Sequence, residues 1–179
     1  LCVEKAIELE IPERAKYIRV IMSEIARMTD HLTCIAANAM ELGAFTPYFY
    51  LINARELLYQ SGDMASGGRV TPNYFRIGGT SFDLTPDFIE FTKDALKKVD
   101  SYLSDTRKLL ERNRIFYDRL KDIGKITRED AVSYGFTGPL IRSVGIDYDV
   151  RKYSPYLVYD RFDFEIPVAD GGDNYARFL

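Results

Sequence analysis

The sequence predicts a mainly α protein built on a bundle of long helices, with a small irregular or β portion at its carboxyl end. Three observations carry that expectation. An apolar stripe recurs at three- and four-residue steps from Ile18 to Leu42. A second, heptad-like stripe runs from Leu96 to Leu120. After Gly135 the chain turns rich in Gly, Pro, Tyr and Asp, and helical periodicity stops. The 179 residues suffice for one domain with a sizeable core. We read a single domain over 1–179, with a helical core over 2–134 and an irregular or β segment over 135–179.

Residues 2–10 read as helix, interrupted at Ile11-Pro12 because proline disfavours a helical residue before it. The first long helix follows over 12–42. Ile18, Ile21, Ile25, Met28, Leu32, Ile35, Ala39 and Leu42 form its apolar face, and Gly43 is placed to end it. Thr46-Pro47 reads as a cap and first-turn proline for the next helix. That helix is expected to dissolve in the loop "SGDMASGG", Ser61–Gly68. Arg69–Gly79 then reads as an extended crossing segment with a turn at Gly78-Gly79. Thr85-Pro86-Asp87 opens the second long helix, with an acidic residue near the dipole's positive end. Its seam of Leu96, Val99, Leu103, Thr106, Leu110, Asn113, Tyr117 and Leu120 predicts one continuous helix ending at Ile123-Gly124. Asn113 is expected to hydrogen-bond within that seam. Thr127 and Asp130 have capping-box spacing. In "DRFDFEIPV", Phe162, Phe164 and Ile166 alternate with Asp163 and Glu165, which reads as a strand with one buried face.

Composition narrows the function classes. Apolar residues make up 46 % and charged residues 28 %, as in ordinary folded domains. The formal charge is −3, and acids and bases interleave, so no local basic patch points to nucleic acid. No apolar run approaches the roughly 20 residues of a membrane-crossing helix. The amino end, "LCVEKAIELE", has acidic residues and lacks the basic region of a signal peptide. It begins without Met, and "DNYARFL" closes without an element, so both ends read as cuts through a longer polypeptide. Cys2 and Cys34 lack metal-ligand spacing and are expected to be buried thiols.

Few residues stand out as chemical. His31, the one histidine, adjoins Asp30, yet neighbouring helical positions do not face each other. It reads as a helix histidine, with a proton-linked role as the sharper alternative. Carboxylates such as Glu24, Asp30 and Glu41 read as a solvated face. Arg69, Arg76, Arg142, Arg151 and Arg161 sit in Gly- or Pro-flanked turns, where arginine ties loops to carboxylates. Six of the 13 tyrosines, Tyr74, Tyr148, Tyr153, Tyr156, Tyr159 and Tyr175, lie near Arg or Asp. Packing with a bonded hydroxyl explains most of them.

The strings "PERAKYIRVIMSEIARMTDHL", "ELGAFTPYFY", "NYFRIGG", "NRIFYDRLKDIG", "ITREDAVSYGFTGPLIRSVGIDYDVRKYSPY" and "YDRFDFEIPVADGGDNYARFL" cover most of the chain in order. They resemble the 49 kDa subunit family of NADH:quinone oxidoreductase, respiratory complex I. The resemblance implies a helix-rich fold like the large subunit of nickel–iron hydrogenases. It implies no catalytic residue and no metal or cofactor bound by this chain. Quinone and a neighbouring subunit's 4Fe–4S cluster would supply the redox chemistry. The implied partners are the iron–sulfur cluster subunit, a 30 kDa-type subunit and the membrane-arm subunit of the quinone channel. The implied location is peripheral, on the cytoplasmic face of the bacterial inner membrane. The family's quinone-contacting His and Tyr have no counterpart here. The segment before "NYFRIGG" usually carries a histidine near the terminal cluster. Here Thr71 or Pro72 takes that position, and neither titrates near neutral pH. Arg69, Thr71, Tyr74 and Arg76 are therefore the implied quinone- or cluster-proximal residues. Asn113-Arg114 and Arg151-Lys152 match the family's "NRI" and "RK" motifs and are implied structural or subunit-contact positions.

Overall fold

Proline and glycine set the ends of the first long helix. The computed structural model describes residues 1–179. Helix α1 spans Cys2–Ala6, shorter than expected, because Glu8 adopts a positive φ of 54° and turns the chain before Pro12. Helix α2 then runs Glu13–Glu41, as its periodicity predicts. Its exit is a Schellman closure. Gly43, at φ 88°, donates to Met40 O at 2.8 Å, and Ala44 donates to Ala39 O at 2.8 Å.

That closure delivers the chain directly into α3, Phe45–Ser66. Thr46 is therefore inside the helix and makes no cap. Pro47 is tolerated there because first-turn N–H groups have no intrahelical partner anyway. The expected loop at 61–68 is also corrected, since helix continues to Ser66. Ser61, Gly62 and Ala65 are buried small residues on its inner face, and Ser61 Oγ donates back to Leu57 O at 3.3 Å. Burial outweighs their poor helix propensity. Gly67, at φ 68°, ends the helix.

The chain divides into two compact units, 1–108 and 109–179. That division falls near the end of the fourth helix, well before the change of composition at Gly135. In the first unit, α2 packs along α3, and the core gathers Ile18, Met22, Ile25, Leu32, Leu51, Ala54 and Leu58. Tyr74 and Leu84 join it from the connection, and Phe88 and Val99 from α4, which spans Pro86–Leu110. Thr85 caps α4 as expected, its Oγ1 accepting from Phe88 N at 3.2 Å. The connection folds as a short antiparallel hairpin, β1 (Phe75–Arg76) with β2 (Gly79–Thr80), in register Phe75 with Thr80 and Arg76 with Gly79. Its turn is Ile77-Gly78, one residue earlier than predicted, and Gly78 supplies the positive φ of 93°.

The two cysteines are exposed, contrary to expectation. Cys34 lies two residues from both Leu32 and Ala36, which are buried. At about 100° per residue it points to the opposite side of α2.

In the second unit the expected continuous helix breaks after Leu110. Asn113 is not a seam residue. Its carboxamide oxygen accepts from Ile115 N (2.9 Å) and Phe116 N (3.2 Å) and caps a new helix, α5, Arg114–Leu120. Asparagine competes well for free backbone donors, so it starts a helix more readily than it continues one. Helix α6, Arg128–Ser133, carries the predicted capping box of Thr127 and Asp130. Three short helices follow: α7 (Pro139–Arg142), α8 (Val150–Tyr153) and α9 (Asn174–Phe178), so the last residues do form an element. The expected strand in 160–168 does not form. Phe164 and Ile166 are half-buried, but the stretch has no strand partner, and Pro167 lacks a donor. No helix is long and apolar enough to cross a membrane.

Candidate functional site

A two-stranded hairpin with two residues per strand has little stability of its own. Its position must come from what holds it. Three anchors do so. At its start, Arg69 pairs with Glu56 of α3. At its end, Arg14 Nε of α2 lies 2.8 and 2.9 Å from the two oxygens of Asp83. The Arg14 guanidinium, helped by the Leu84 N–H, holds the Asp83 carboxyl below its usual range.

The third anchor is buried. Arg19 of α2 is 2 % exposed and Glu4 of α1 is 5 % exposed. Arg19 Nη1 and Nη2 donate to the two Glu4 oxygens at 2.8 and 2.7 Å. Nη2 also donates to Arg76 O (2.8 Å) and Gly79 O (2.9 Å), while Gly78 N donates to Glu4 Oε1 at 2.8 Å. The turn's inward-facing backbone groups are thereby satisfied by one ion pair. The Arg19 guanidinium, joined by the Gly78 N–H, holds Glu4 down to about 2. Neither residue was singled out by sequence reasoning. The available signal was a charged residue, Arg19, between Ile18 and Met22 on an otherwise apolar face.

The predicted residues fall in different places. Arg69, Thr71 and Arg76 are exposed on the hairpin segment. Arg76 Nε donates to Ser81 Oγ at 3.0 Å. Tyr74 belongs to the core instead. Its hydroxyl donates to Phe82 O at 2.7 Å, and burial raises its pKa. Around these residues Val70, Phe75, Ile77 (67 % exposed) and Phe82 present apolar side chains to solvent. The segment thus displays arginine and hydroxyl groups among aromatic and aliphatic ones, on a rigid mount.

His31 is exposed on α2, twelve residues beyond Arg19. That is about 18 Å further along the helix axis, so the fold does not bring it to the clamp. A shallow depression of about 440 Å³, lined by Leu57, Met64, Asp87, Glu90, Phe91, Asp94, Ala95 and Lys98, includes none of the predicted residues.

In the second unit, Arg114 Nε pairs with Asp118 at 2.8 Å on the exposed side of α5. Arg151 grips Asp149 through Nε (3.0 Å) and Nη2 (2.7 Å), and its guanidinium lies 4.7 Å from the centre of the Phe164 ring. Lys152 Nζ lies 5.1 Å from the same ring. The Arg151 pair, against some burial, holds Asp149 down to about 2. These geometries are contacts within the second unit.

No group of three or more His, Cys, Asp or Glu side chains converges as metal ligands, and the two cysteines stand apart on exposed surfaces.

Comparison with known proteins places the chain in a respiratory class. The family model described as "Respiratory-chain NADH dehydrogenase, 49 Kd subunit" matches residues 41–179, and the chain belongs to that family. The second D-type subunit of the NADH-quinone oxidoreductase of Anaeromyxobacter sp. (strain K) is 53 % identical over 179 residues, covering 100 % of this chain and 42 % of the relative. The D-type subunit of the NADH-quinone oxidoreductase of Myxococcus xanthus (strain DK1622) is 50 % identical over 177 residues, covering 99 % and 43 %. The chain therefore spans less than half the length of these curated relatives.

Proposed function

We propose that this chain is part of a proton-pumping NADH:quinone oxidoreductase, where its hairpin segment helps to form the quinone-reduction site. In this reading the segment Arg69–Arg76 faces the terminal 4Fe–4S cluster of the adjoining iron–sulfur subunit. A 30 kDa-type subunit and the membrane-arm subunit of the quinone channel are its other partners. The assembly would lie on the cytoplasmic face of the bacterial inner membrane, with the helices arranged as in a nickel–iron hydrogenase large subunit. The cluster and quinone supply the electron transfer; the chain's own residues shape and tune the pocket.

One observation carries the reading. The family membership falls together with an exposed segment, anchored at three points, that offers Arg76 and Thr71 among Phe75, Ile77 and Phe82. Such a surface suits an apolar ring with polar oxygens. A second reading has a specific support of its own: Arg69 and Arg151 are already engaged by Glu56 and Asp149. On that reading the chain is a structural module that bridges subunits.

Arg69→Met and Thr71→Val in the fully assembled complex separate the two. The site reading expects altered quinone-reduction kinetics with normal assembly. Unchanged quinone reduction in both variants leaves the structural module standing.

A further inference from the structure

We propose that Arg19, held by Glu4, is a positioning residue for the quinone site: it fixes the height and angle of the Phe75–Thr80 hairpin tip. This rests on the function proposed above.

The hairpin's own ladder is too short to orient it. Phe75, Arg76 and Ile77 are exposed and Gly78, Gly79 and Thr80 only half-buried, so packing alone does not orient it either. What remains near the turn is the buried guanidinium, which bonds to carbonyl oxygens on both strands, Arg76 O and Gly79 O. Glu4 completes the turn by accepting from Gly78 N. Phe75, on the first strand, places its ring centre 5.8 Å from the same guanidinium. A buried ion pair is a weak source of net stability, because desolvation offsets much of its attraction. Its distinctive contribution is geometry. A planar fork with fixed donor directions meets both oxygens of a carboxylate and still reaches two carbonyls, whereas an ammonium has three donors and no such fork. A residue that sets this height and angle sets how Arg76, Phe75 and Ile77 meet whatever lies opposite.

The test uses the complete membrane-bound complex carrying Arg19→Lys, which keeps the charge and removes the fork. Glu4→Gln is the second variant, and Phe75→Ala with Arg76→Met form a parallel pair on the hairpin itself. Three readouts are taken: yield of assembled complex, KM against kcat for a water-soluble short-chain quinone, and the electron paramagnetic resonance line shape of the terminal cluster. Arg19→Lys is expected to assemble, to raise KM several-fold with a smaller change in kcat, and to broaden the cluster signal. Glu4→Gln is expected to do the same more weakly. An assembled Arg19→Lys complex with wild-type KM and line shape overturns the proposal. If Arg19→Lys does not assemble, Glu4→Gln decides by the same readouts. Failure of both to assemble makes the pair a folding element and overturns it too. The hairpin pair isolates the underlying function. If Phe75→Ala and Arg76→Met leave kinetics and line shape unchanged, the quinone-site reading fails. If they change both while the Arg19 and Glu4 variants change neither, only the positioning role fails.

Discussion

The two units solve the same problem by opposite means. Residues 1–108 hold together through long helices whose apolar faces meet; a buried carboxylate adds one clamp, Glu4–Arg19, to a core that already exists. Residues 109–179 have only short helices, and few large apolar side chains are fully buried there. Their irregular chain is fastened by carboxylates that gather backbone N–H groups. Asp173 is 0 % exposed; it accepts from Asp122 N (2.9 Å) and Ala176 N (2.8 Å), and Lys121 Nζ lies 3.3 Å away. Burial pushes that carboxyl up, but the two backbone donors and Lys121 outweigh it and hold it at about 2. Beside it, Gly172 donates to Ser143 O at 2.7 Å and accepts from Ile126 N at 2.9 Å. A Cβ at Gly172 would stand 2.5 Å from Ile126 O, so no other residue fits there. Where helices are long, apolar area sets the fold. Where they are short, backbone satisfaction does.

The contrast can be broken most forcefully in the first unit. Phe88→Ala removes a nearly fully buried ring from the core and is expected to cost about 3–5 kcal/mol in urea unfolding. A cost below about 1 kcal/mol would show that this core is not what holds residues 1–108.

Asp173→Ala comes next. It strands two backbone donors and is expected to cost about 2–4 kcal/mol. Hydrogen exchange should accelerate around 121–126 and 171–178 while α2 and α3 keep their protection. Equal acceleration in α2 and α3 would erase the distinction between the units. The same distinction predicts a pH dependence. Asp149 and Asp173 have pKa values of about 2 when folded, below the ordinary 3.8. Their stabilisation is present above that ordinary value and is lost as pH falls toward about 2. Glu4 in the first unit is held as low, so its clamp on the hairpin is lost over the same range. Exchange labelling after acid incubation should therefore find the second unit and the hairpin opening before the α2–α3 pair.

Asn113→Ala has the smallest effect, about 1 kcal/mol, as expected for loss of a helix cap. It should loosen α5 locally and leave α4 intact, as read by exchange at Ile115 and Phe116.

Periodicity and caps were legible where burial follows them. Helix α2, the Gly43 closure, the Thr85 cap and the Thr127–Asp130 box all follow from local residue chemistry. The misses share a cause: each depends on what lies across space. The small residues Ser61, Gly62 and Ala65 look like a loop until a neighbouring helix buries them. Asn113 sits at a heptad position and reads as a seam residue, yet the backbone donors of Ile115 and Phe116 make it a cap. Phe162–Ile166 has a strand's alternation but no partner strand. The clamp was the largest miss, because Glu4 and Arg19 are joined by the fold and not by spacing.

On the proposed reading, Arg69–Arg76 faces the terminal cluster, and the segment carries no histidine. Redox titration of that cluster in the assembled complex, across about pH 6 to 8, tests it most directly when the native chain is compared with Thr71→His. The account predicts a nearly pH-independent potential in the native complex and a pH-dependent one in the variant. A native slope near one proton per electron, or a variant indistinguishable from the native complex, would contradict it.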